Sequence, residues 1–361
     1  MGSESLRVLI VGANYGLLLA VKLALAGHRV TVVGRHGECD AINAGGACLE
    51  YPDGQTLSVT QNLASIAPSD VDPQSYDFAF LAIQEPQAAE AEMASLLLSI
   101  GNRLPIASVM NLPPETFLRR LEGFDPDLWQ GVHAAAWIWS QIPCNHFTCA
   151  SPDPQAYRPD PTALNRLRIS HVANFKFAPF ASPESQAMLT RLSRDVGSVR
   201  FGSGERAPIH IVRSNSIYTP LAKWPMLVTG NCRCVRDGLP PLSIQEAVNQ
   251  NLEASRSLYE QVSDALVKRG VPTRDLVRFD DYAHASRTLV RASSVAMALE
   301  GGVAKIERID VLVSNLLADA AETVTSLDQM RAIRDLISKR LDENSGHSQG
   351  RAETEDCGGA I

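Results

Sequence analysis

The chain has 361 residues, of which 45% are hydrophobic and 20% are charged, and its formal net charge is −7. This length and composition predict a globular protein of two domains, and the acidic balance argues against nucleic acid or an anionic membrane as the main partner. Because no stretch approaches about 18 uninterrupted apolar residues and no leader pattern precedes the first strand, we expect no membrane span and a cytoplasmic location.

The first 35 residues have the pattern of a strand, a glycine turn, a helix and a second strand. Val8–Val11 is an apolar run suited to a central parallel strand, and Leu17–Ala26 has the length of a crossover helix. In such a βαβ unit a dinucleotide binds at the turn, where the helix N-terminus attracts its pyrophosphate. The pattern therefore predicts a Rossmann-type nucleotide site.

The glycine turn departs from the usual spacing. Gly12 is expected to turn the chain off the first strand and Gly16 to let the helix approach closely, with Asn14 and Tyr15 between them. The G-x-G-x-x-G fingerprint would need glycine at Asn14 and at Leu17. Asparagine tolerates the left-handed backbone region, so Asn14 can replace a glycine. An ordinary turn that binds nothing is the alternative.

The end of the second strand bears on the choice of cofactor. NAD-selective folds place an acid there to bind the ribose hydroxyls, whereas this chain has Arg35 followed by His36. A cation at this point favours a 2′-phosphate, so the predicted cofactor is NADP(H). A surface arginine without a ligand is the alternative.

Strand and helix signals continue along the chain and then become purely helical. The predicted elements are a hairpin around Pro52–Gly54, a strand at 78–83, a helix over 86–100, a strand at 106–110, closing strands with an insertion over 131–180, a helix over 183–194, a short strand at 199–201, and helices within 207–225, 243–270 and 283–340. The fold class is therefore α/β, with a Rossmann-type doubly wound sheet followed by an all-helical C-terminal domain.

We place the domain boundaries by this change of pattern. Residues 1–205 form the predicted dinucleotide-binding domain, and 206–341 form a helical domain for substrate binding and dimerisation. The last segment, 342–361, is rich in Ser, Gly, Glu and Gln and is predicted to be a disordered tail. The apolar stretch Ile309–Leu317 suits the seam of a homodimer.

The cysteines favour reduced thiols, because seven of them stand at irregular spacing. The conceivable zinc donors are Cys144, His146, Cys149, Cys232 and Cys234. Their spacings miss the common zinc motifs, so no metal is predicted.

The order of these pieces resembles the ketopantoate reductase family, whose members pair a Rossmann domain with an all-helical domain. The likeness covers roughly residues 6–335. The matching stretches are Val8–Arg35, Tyr76–Gln84, Val109–Asn111, Ser214–Leu221, Ala292–Ser294 and Glu307–Asp310. The resemblance implies NADP(H)-dependent reduction of a small-molecule 2-oxo acid or a related carbonyl or imine, with hydride delivered to the 2-oxo carbon.

The resemblance also implies roles for individual side chains. These are Gln84 beside the cofactor, Asn111 and Asn215 orienting the substrate, and Ser294 and Glu307 at its carboxylate. Arg213 is suited to bind a carboxylate because its guanidinium stays charged. The structural alternatives are a turn at Asn111, a helix bridge at Asn215, a helix start at Ser294 and a solvated acid at Glu307.

One departure from the family concerns proton transfer. The family's general-acid lysine lies four residues before the asparagine matched to Asn215, and this position holds Ile211. A positioned acid contributes roughly 10²–10⁴ in rate. We predict His210 as the replacement, since imidazole transfers protons near neutral pH. The other candidates are Tyr218, Lys223 and Lys305.

Because the lysine is missing and the glycine loop is altered, two further functions remain open. One is a cofactor-binding protein that has lost redox chemistry, and the other is an enzyme that uses the same cleft for a non-redox step.

Overall fold

A computed structural model of the chain describes residues 5–152, 154–320 and 324–356. They form two compact units, the first comprising residues up to 121 and 134–220, and the second comprising 122–133 and the residues from 221 onward. The predicted boundary after residue 205 precedes the observed one. The physical reason is that a strand at 211–213 pairs within the sheet of the first unit.

The first unit alternates strands and helices. Its strands are β1 Arg7–Val11, β2 Arg29–Val33, β3 Ala47–Glu50, β4 Thr56–Val59, β5 Leu63–Ile66, β6 Phe78–Leu81, β7 Ile106–Ser108, β8 Phe147–Pro152, β9 Gln155–Tyr157, β10 Arg166–His171, β11 Phe175–Phe177 and β12 Ile211–Arg213. Its helices are α1 Leu17–Leu25, α2 His36–Gly45, α3 Ala91–Gly101, α4 Glu115–Leu118, α5 Ala136–Trp139 and α6 Pro183–Val196.

Eight strands form the main sheet in the order β12-β11-β8-β7-β6-β1-β2-β5. All neighbours from β8 to β5 run parallel, whereas β11 is antiparallel to β8. The central strands are continuous apolar runs, and every residue of β6 is buried, as expected for a parallel sheet covered on both faces. The predicted Rossmann-type fold class is therefore confirmed.

The predicted βαβ unit is present with nearly the predicted bounds. β1 and β2 are parallel neighbours, with Val8 opposite Val30. The connecting helix α1 is buried at each residue from Leu17 to Ala24, so it is covered on all sides. This burial positions the glycine turn rigidly at the carboxyl edge of the sheet.

A second sheet has the order β4-β3-β10-β9. The hairpin predicted around Pro52–Gly54 is confirmed as β3 and β4, whose register pairs Leu49 with Leu57. The other half, β9 and β10, comes from the predicted insertion and joins the hairpin through the parallel pair β3 and β10. Distant segments of the chain are thereby brought together.

Three local predictions differ from the structure. The helical prediction for 207–225 is wrong at β12, because Ile211 and its neighbours pair with β11 instead of forming helix turns. The segment 199–201 forms only an isolated bridge between Arg200 and Arg206. α2 was not predicted, since its polar and glycine-rich sequence has a weak helical pattern.

The regular secondary structure of the second unit's described residues is helical, which confirms the predicted class. Its helices are α7 Trp224–Met226, α8 Ile244–Asn249, α9 Leu252–Lys268, α10 Phe279–Ser286, α11 Ser294–Glu300, α12 Ile309–Asp319 and α13 Val324–Asp356, with a π-helical turn at Leu227–Asn231. The apolar stripe of Leu258, Val262 and Leu266 on α9 is buried. In the described part of the chain, no helix combines the length and apolarity needed to cross a bilayer.

Two predictions for the C-terminal region differ from the structure. The predicted dimer seam Ile309–Leu317 turns its apolar face inward, where Leu312, Val313, Leu316 and others are buried within the unit. α13 continues through 342–356, where a disordered tail was predicted, and residues 357–361 lie outside the described residues. Ion pairs of Lys339 and Arg340 with Glu343 favour the continued helix.

Candidate functional site

The glycine turn after β1 is shaped by close backbone contacts. Gly12 has a φ of +112°, and a Cβ there would lie 2.6 Å from the carbonyl oxygen of Ala82. A Cβ on Gly16 would lie 2.1 Å from the carbonyl oxygen of Gly12. No side chain of the described residues caps the N-terminus of α1. Since only glycine fits these positions, the turn leaves backbone N–H groups open to a phosphate, and a dinucleotide fits this cradle.

The two loop residues of the turn have different surroundings. Asn14 is exposed, and its backbone carbonyl accepts a hydrogen bond from Leu17. Tyr15 is partly buried, its hydroxyl donates to the Pro154 carbonyl, and its ring packs edge-on against Phe175 at 5.7 Å. Tyr15 therefore attaches the turn to β11, so its observed contacts are structural.

The ends of β6 and β7 lie beside the glycine turn. The Ala82 N–H donates to the Val11 carbonyl at 2.8 Å, and the Val109 N–H donates to the Leu81 carbonyl at 2.8 Å. Gln84 and Asn111 follow these strands, and both are partly buried. The structure therefore brings Gly12, Gln84 and Asn111 to one edge of the sheet, where open α/β sheets bind ligands.

The end of β2 carries both a cation and an acid. Arg35 is exposed, and its side chain forms no ion pair among the residues that the structure describes. The Glu38 carboxylate returns from the first turn of α2 and accepts the Arg35 backbone N–H at 2.9 Å. A Cβ on Gly34 would lie 3.3 Å from Glu38 Oε2 and 2.8 Å from Ala13 Cβ. The Glu38 carboxylate thus lies beside the glycine turn. Sequence reasoning missed it because Glu38 stands three residues after Arg35, the arginine at the end of the strand.

Glu85 organises the segment that follows the sheet edge, and sequence reasoning missed it too. Its side chain is 1% exposed. The carboxylate accepts the backbone N–H groups of Ala134 and Ala135 at 3.0 and 2.9 Å and the indole N–H of Trp139 at 3.0 Å. Three N–H donors compensate for burying the charge. Glu85 therefore fixes the chain directly after Gln84.

His210 lies at the start of β12, where its ring is partly buried and its Nδ1 has no hydrogen-bond partner in the described structure. Burial and the charges of Lys22 and Arg206 lower its pKa. The imidazole is therefore neutral at neutral pH, and a neutral imidazole is a poor acid. The Lys22 ammonium group is itself buried and donates to the carbonyls of Ala207 and Pro208 at 2.7 and 3.0 Å.

The residues matched to the family's substrate segment lie in and after β12. Ile211 is buried in the strand, while Arg213 is exposed and donates to Thr190 at 3.2 Å. Asn215 is exposed in a turn, where the Ser214 hydroxyl accepts the Ser216 N–H. Because β12 runs opposite to the parallel strands, the chain leaves it heading away from the edge that carries the glycine turn.

In the second unit the predicted site residue Ser294 is exposed, whereas the preceding Ser293 is buried. Ser294 begins α11 and faces solvent, whereas Ser293 caps that helix and donates to the Asn231 carbonyl at 2.7 Å. Glu307 is 9% exposed. The two predicted residues, Ser294 and Glu307, thus belong to the second unit, while the other predicted site residues belong to the first.

Two lysine candidates in the second unit differ in burial. Lys223 directly precedes α7 and is partly buried, whereas Lys305 is exposed. The exposed position is the ordinary one for a surface lysine. Lys223 is the candidate that the fold holds partly out of water.

The thiols of the described residues are divided between the two units. Cys144 and Cys149 lie in the first unit, and Cys232 and Cys234 lie in the second. Burial raises the pKa of both Cys232 and Cys234, which keeps them as thiols. Among the described residues, no group of three His, Cys, Asp or Glu side chains could hold a metal ion.

Comparison with known proteins agrees with this geometry. Residues 8–111 match the family model of ketopantoate reductase PanE/ApbA. No curated protein matches the chain by sequence.

Solved structures share the fold over nearly the whole chain. A putative ketopantoate reductase from Ralstonia solanacearum MolK2 is 19% identical, with 95% of this chain and 99% of that chain covered and a TM-score of 0.69. A D-mandelate dehydrogenase in a ternary structure with NADH and anilino(oxo)acetate is 12% identical, with 94% and 99% covered and a TM-score of 0.66. A 2-dehydropantoate 2-reductase from Geobacter metallireducens GS-15 is 13% identical, with 92% and 99% covered and a TM-score of 0.65. Residues 8–111 therefore match the ketopantoate reductase family model, and the chain as a whole shares the fold of these solved structures.

Proposed function

We propose that the protein is an NADP(H)-dependent oxidoreductase that reduces a 2-oxo acid or a related carbonyl or imine. The observation that carries this proposal is the glycine turn. Gly12 and Gly16 leave no room for a Cβ, and their approach opens the N-terminus of α1 to a pyrophosphate. The family match at residues 8–111 covers this turn.

The choice of NADP(H) over NAD(H) rests on Arg35. Its exposed guanidinium stands at the end of β2, where a 2′-phosphate would be bound by charge-assisted hydrogen bonds. The D-mandelate dehydrogenase of similar fold was solved with NADH, so both nucleotides must be compared directly.

The substrate class follows from the family resemblance. Ketopantoate and the oxidised form of mandelate are both 2-oxo acids. When bound, the nicotinamide would supply hydride to the 2-oxo carbon. Gln84 and Asn111, which lie at the sheet edge beside the turn, would orient the reacting groups through their amides. Asn215, Arg213, Ser294 and Glu307 remain proposals for binding the substrate.

The reduction also needs a proton donor for the carbonyl oxygen. The low pKa of His210 makes it unsuited to this role at neutral pH. Tyr218, Lys223 and Lys305 remain the candidates for this donor.

Calorimetric titration with NADPH and NADH, repeated on Arg35→Ala, tests the cofactor. We expect micromolar NADPH binding that weakens by about 1–3 kcal/mol in the variant, the scale of a charge-assisted contact. Absence of binding by either nucleotide would overturn the oxidoreductase proposal.

Turnover tests the chemistry, measured as NADPH oxidation with a panel of 2-oxo acids. Among Tyr218→Phe, Lys223→Ala and Lys305→Ala, the variant that removes the proton donor should lower kcat by roughly 10²–10⁴ while NADPH still binds. Full turnover of all three variants would show that another group donates the proton. Tight NADPH binding without turnover of any substrate would favour the alternative, a cofactor-binding protein without redox chemistry. The observation that favours this alternative is the buried, apolar Ile211 at the position of the family's general-acid lysine.

A further inference from the structure

We propose that Arg158 is a second determinant of the nucleotide preference, acting with Arg35 at the ribose 2′ position. The inference rests on the proposed NADP(H) site and identifies a residue outside the βαβ unit. Arg158 directly follows β9 in the four-stranded sheet, and it reaches Glu38, which is 120 positions earlier in the chain. The small sheet thus delivers a cation to the end of β2.

The two oxygens of the Glu38 carboxylate are both occupied. Oε1 accepts from Arg158 Nη2 at 2.6 Å, and Oε2 accepts from the Arg35 backbone N–H at 2.9 Å. The side chains of Arg158 and Glu38 are only 20% and 13% exposed, so water screens the pair weakly. Glu38 is therefore neutralised and held in place beside the glycine turn.

This placement bears directly on cofactor choice. In NAD-selective folds an acid at the end of the second strand accepts hydrogen bonds from the ribose hydroxyls, and a 2′-phosphate would be repelled by it. Glu38 lies in this region, next to Gly34 and Ala13. Because Arg158 already binds the carboxylate, Glu38 is a poor acceptor for a ribose hydroxyl and a weak barrier to a phosphate.

Arg158 also has donor capacity left over. Its Nε–H is buried and has no hydrogen-bond partner within the described residues. A guanidinium carries five N–H donors in a planar fork and can bridge a carboxylate and a phosphate. A 2′-phosphate beside Arg35 would therefore meet the guanidinium groups of Arg35 and Arg158, while the charge of Glu38 is compensated by its ion pair with Arg158.

Titration of the full chain with NADPH and NADH tests the inference on Arg158→Ala. We expect the Kd for NADPH to rise about 10-fold, because a phosphate contact is lost and the Glu38 charge is released. The Kd for NADH should fall about 3-fold or more, because the freed carboxylate can accept from the 2′-hydroxyl. Opposite changes for the two nucleotides distinguish this role from a structural one.

Arg168→Ala is the matched control, because Arg168 pairs with Glu50 at 2.7 Å in the same small sheet. It should leave both Kd values within about 2-fold of the wild type. In the double variant Arg158→Ala with Glu38→Gln, the gain in NADH affinity should disappear. If Arg158→Ala does not fold, Glu38→Gln alone carries the test and should tighten NADPH about 3-fold without tightening NADH.

Equal weakening of both nucleotides by Arg158→Ala, or no change in either, would overturn the inference. These outcomes differ from failure of the proposed function, in which the wild-type protein would bind neither nucleotide. A wild type that binds NADH in preference to NADPH would overturn the inference and leave the oxidoreductase proposal standing.

Discussion

The βαβ motif of residues 7–33 and the later segment 134–213 both belong to the first compact unit of the chain. They differ in the contacts that fix their positions. Within residues 7–33, contacts are local: β1 and β2 pair in parallel register, and the helix between them is buried by apolar side chains. The segment 134–213 also places strands in both sheets, and it is attached in addition by buried or partly buried polar side chains that stand far away in sequence.

The polar anchors have one arrangement in common, an ionisable side chain that meets backbone or side-chain groups of the later segment. Glu85 binds the chain at 134–139, Lys22 binds it at 207–208, and Arg120 donates to the carbonyls of Phe147 and Pro179 at 2.6 and 2.7 Å. An apolar stripe leaves a periodic pattern in sequence, whereas a single charged anchor leaves none. The comparison therefore explains why the first region was predicted in detail, whereas the second was predicted only as closing strands with an insertion and a helix.

The largest effect is expected from removing the Glu85 anchor. Glu85→Ala removes the acceptor of the Ala134 N–H and leaves the N–H groups of Ala135 and Trp139 buried without an acceptor, so the free energy of unfolding should fall by about 3–5 kcal/mol. Denaturant unfolding followed by fluorescence measures it. Glu90→Ala, at a nearby exposed carboxylate, is the control and should change stability by less than about 0.5 kcal/mol. Equal losses in the two variants would contradict the anchoring role.

A substitution in the glycine turn is expected to destabilise the βαβ motif. Gly12→Ala should cost about 3 kcal/mol, because it combines a positive φ with a Cβ that collides with the Ala82 carbonyl. Gly27 also has a positive φ, of +92°, but nothing lies within 4 Å of a Cβ there. Gly27→Ala should therefore cost only about 1–2 kcal/mol and leave nucleotide binding unchanged. Denaturant unfolding and NADPH titration of both variants separate the cost of the positive φ from the cost of the Cβ collision. An identical loss of unfolding free energy in Gly12→Ala and Gly27→Ala would contradict the steric argument.

The smallest change between neighbouring measurements is a pH dependence at the Lys22 anchor, which connects the two regions. Burial, with a contribution from Arg206, lowers the pKa of Lys22 from 10.5 to about 7. Between pH 7 and 10 the unfolded chain holds a proton on Lys22 that the folded chain has lost. The free energy of unfolding should therefore rise with pH, by up to about 1.4 kcal/mol per unit from this group.

Unfolding curves at several pH values measure this slope in variants. Lys22→Met should remove the rise above pH 7, and Lys176→Met, at an exposed lysine of β11, should retain it. The same slope in the wild type and in Lys22→Met would show that Lys22 stays protonated in the folded protein.

In the candidate site, too, residues placed by local patterns were predicted and residues placed by long-range polar contacts were not. Gly12, Gln84 and Asn111 were placed correctly at one edge, because parallel strands end together whatever their side chains do. Glu38, Glu85 and Arg158 were missed. Each is an ordinary charged residue in the sequence, and its role depends on partners that only chain folding supplies.

Local patterns along the chain were enough to predict the class of the fold, the glycine turn and the helical character of the second unit. Strand and helix periodicity and glycine geometry depend on neighbouring residues, so they can be recognised without the fold. Three features depend instead on tertiary contacts: the ion pair of Arg158 and Glu38 beside the turn, the pairing of β12 with β11, and the burial of Lys22. Electrostatic contacts act between residues that are close in space, so their partners are fixed only when the whole first unit is assembled.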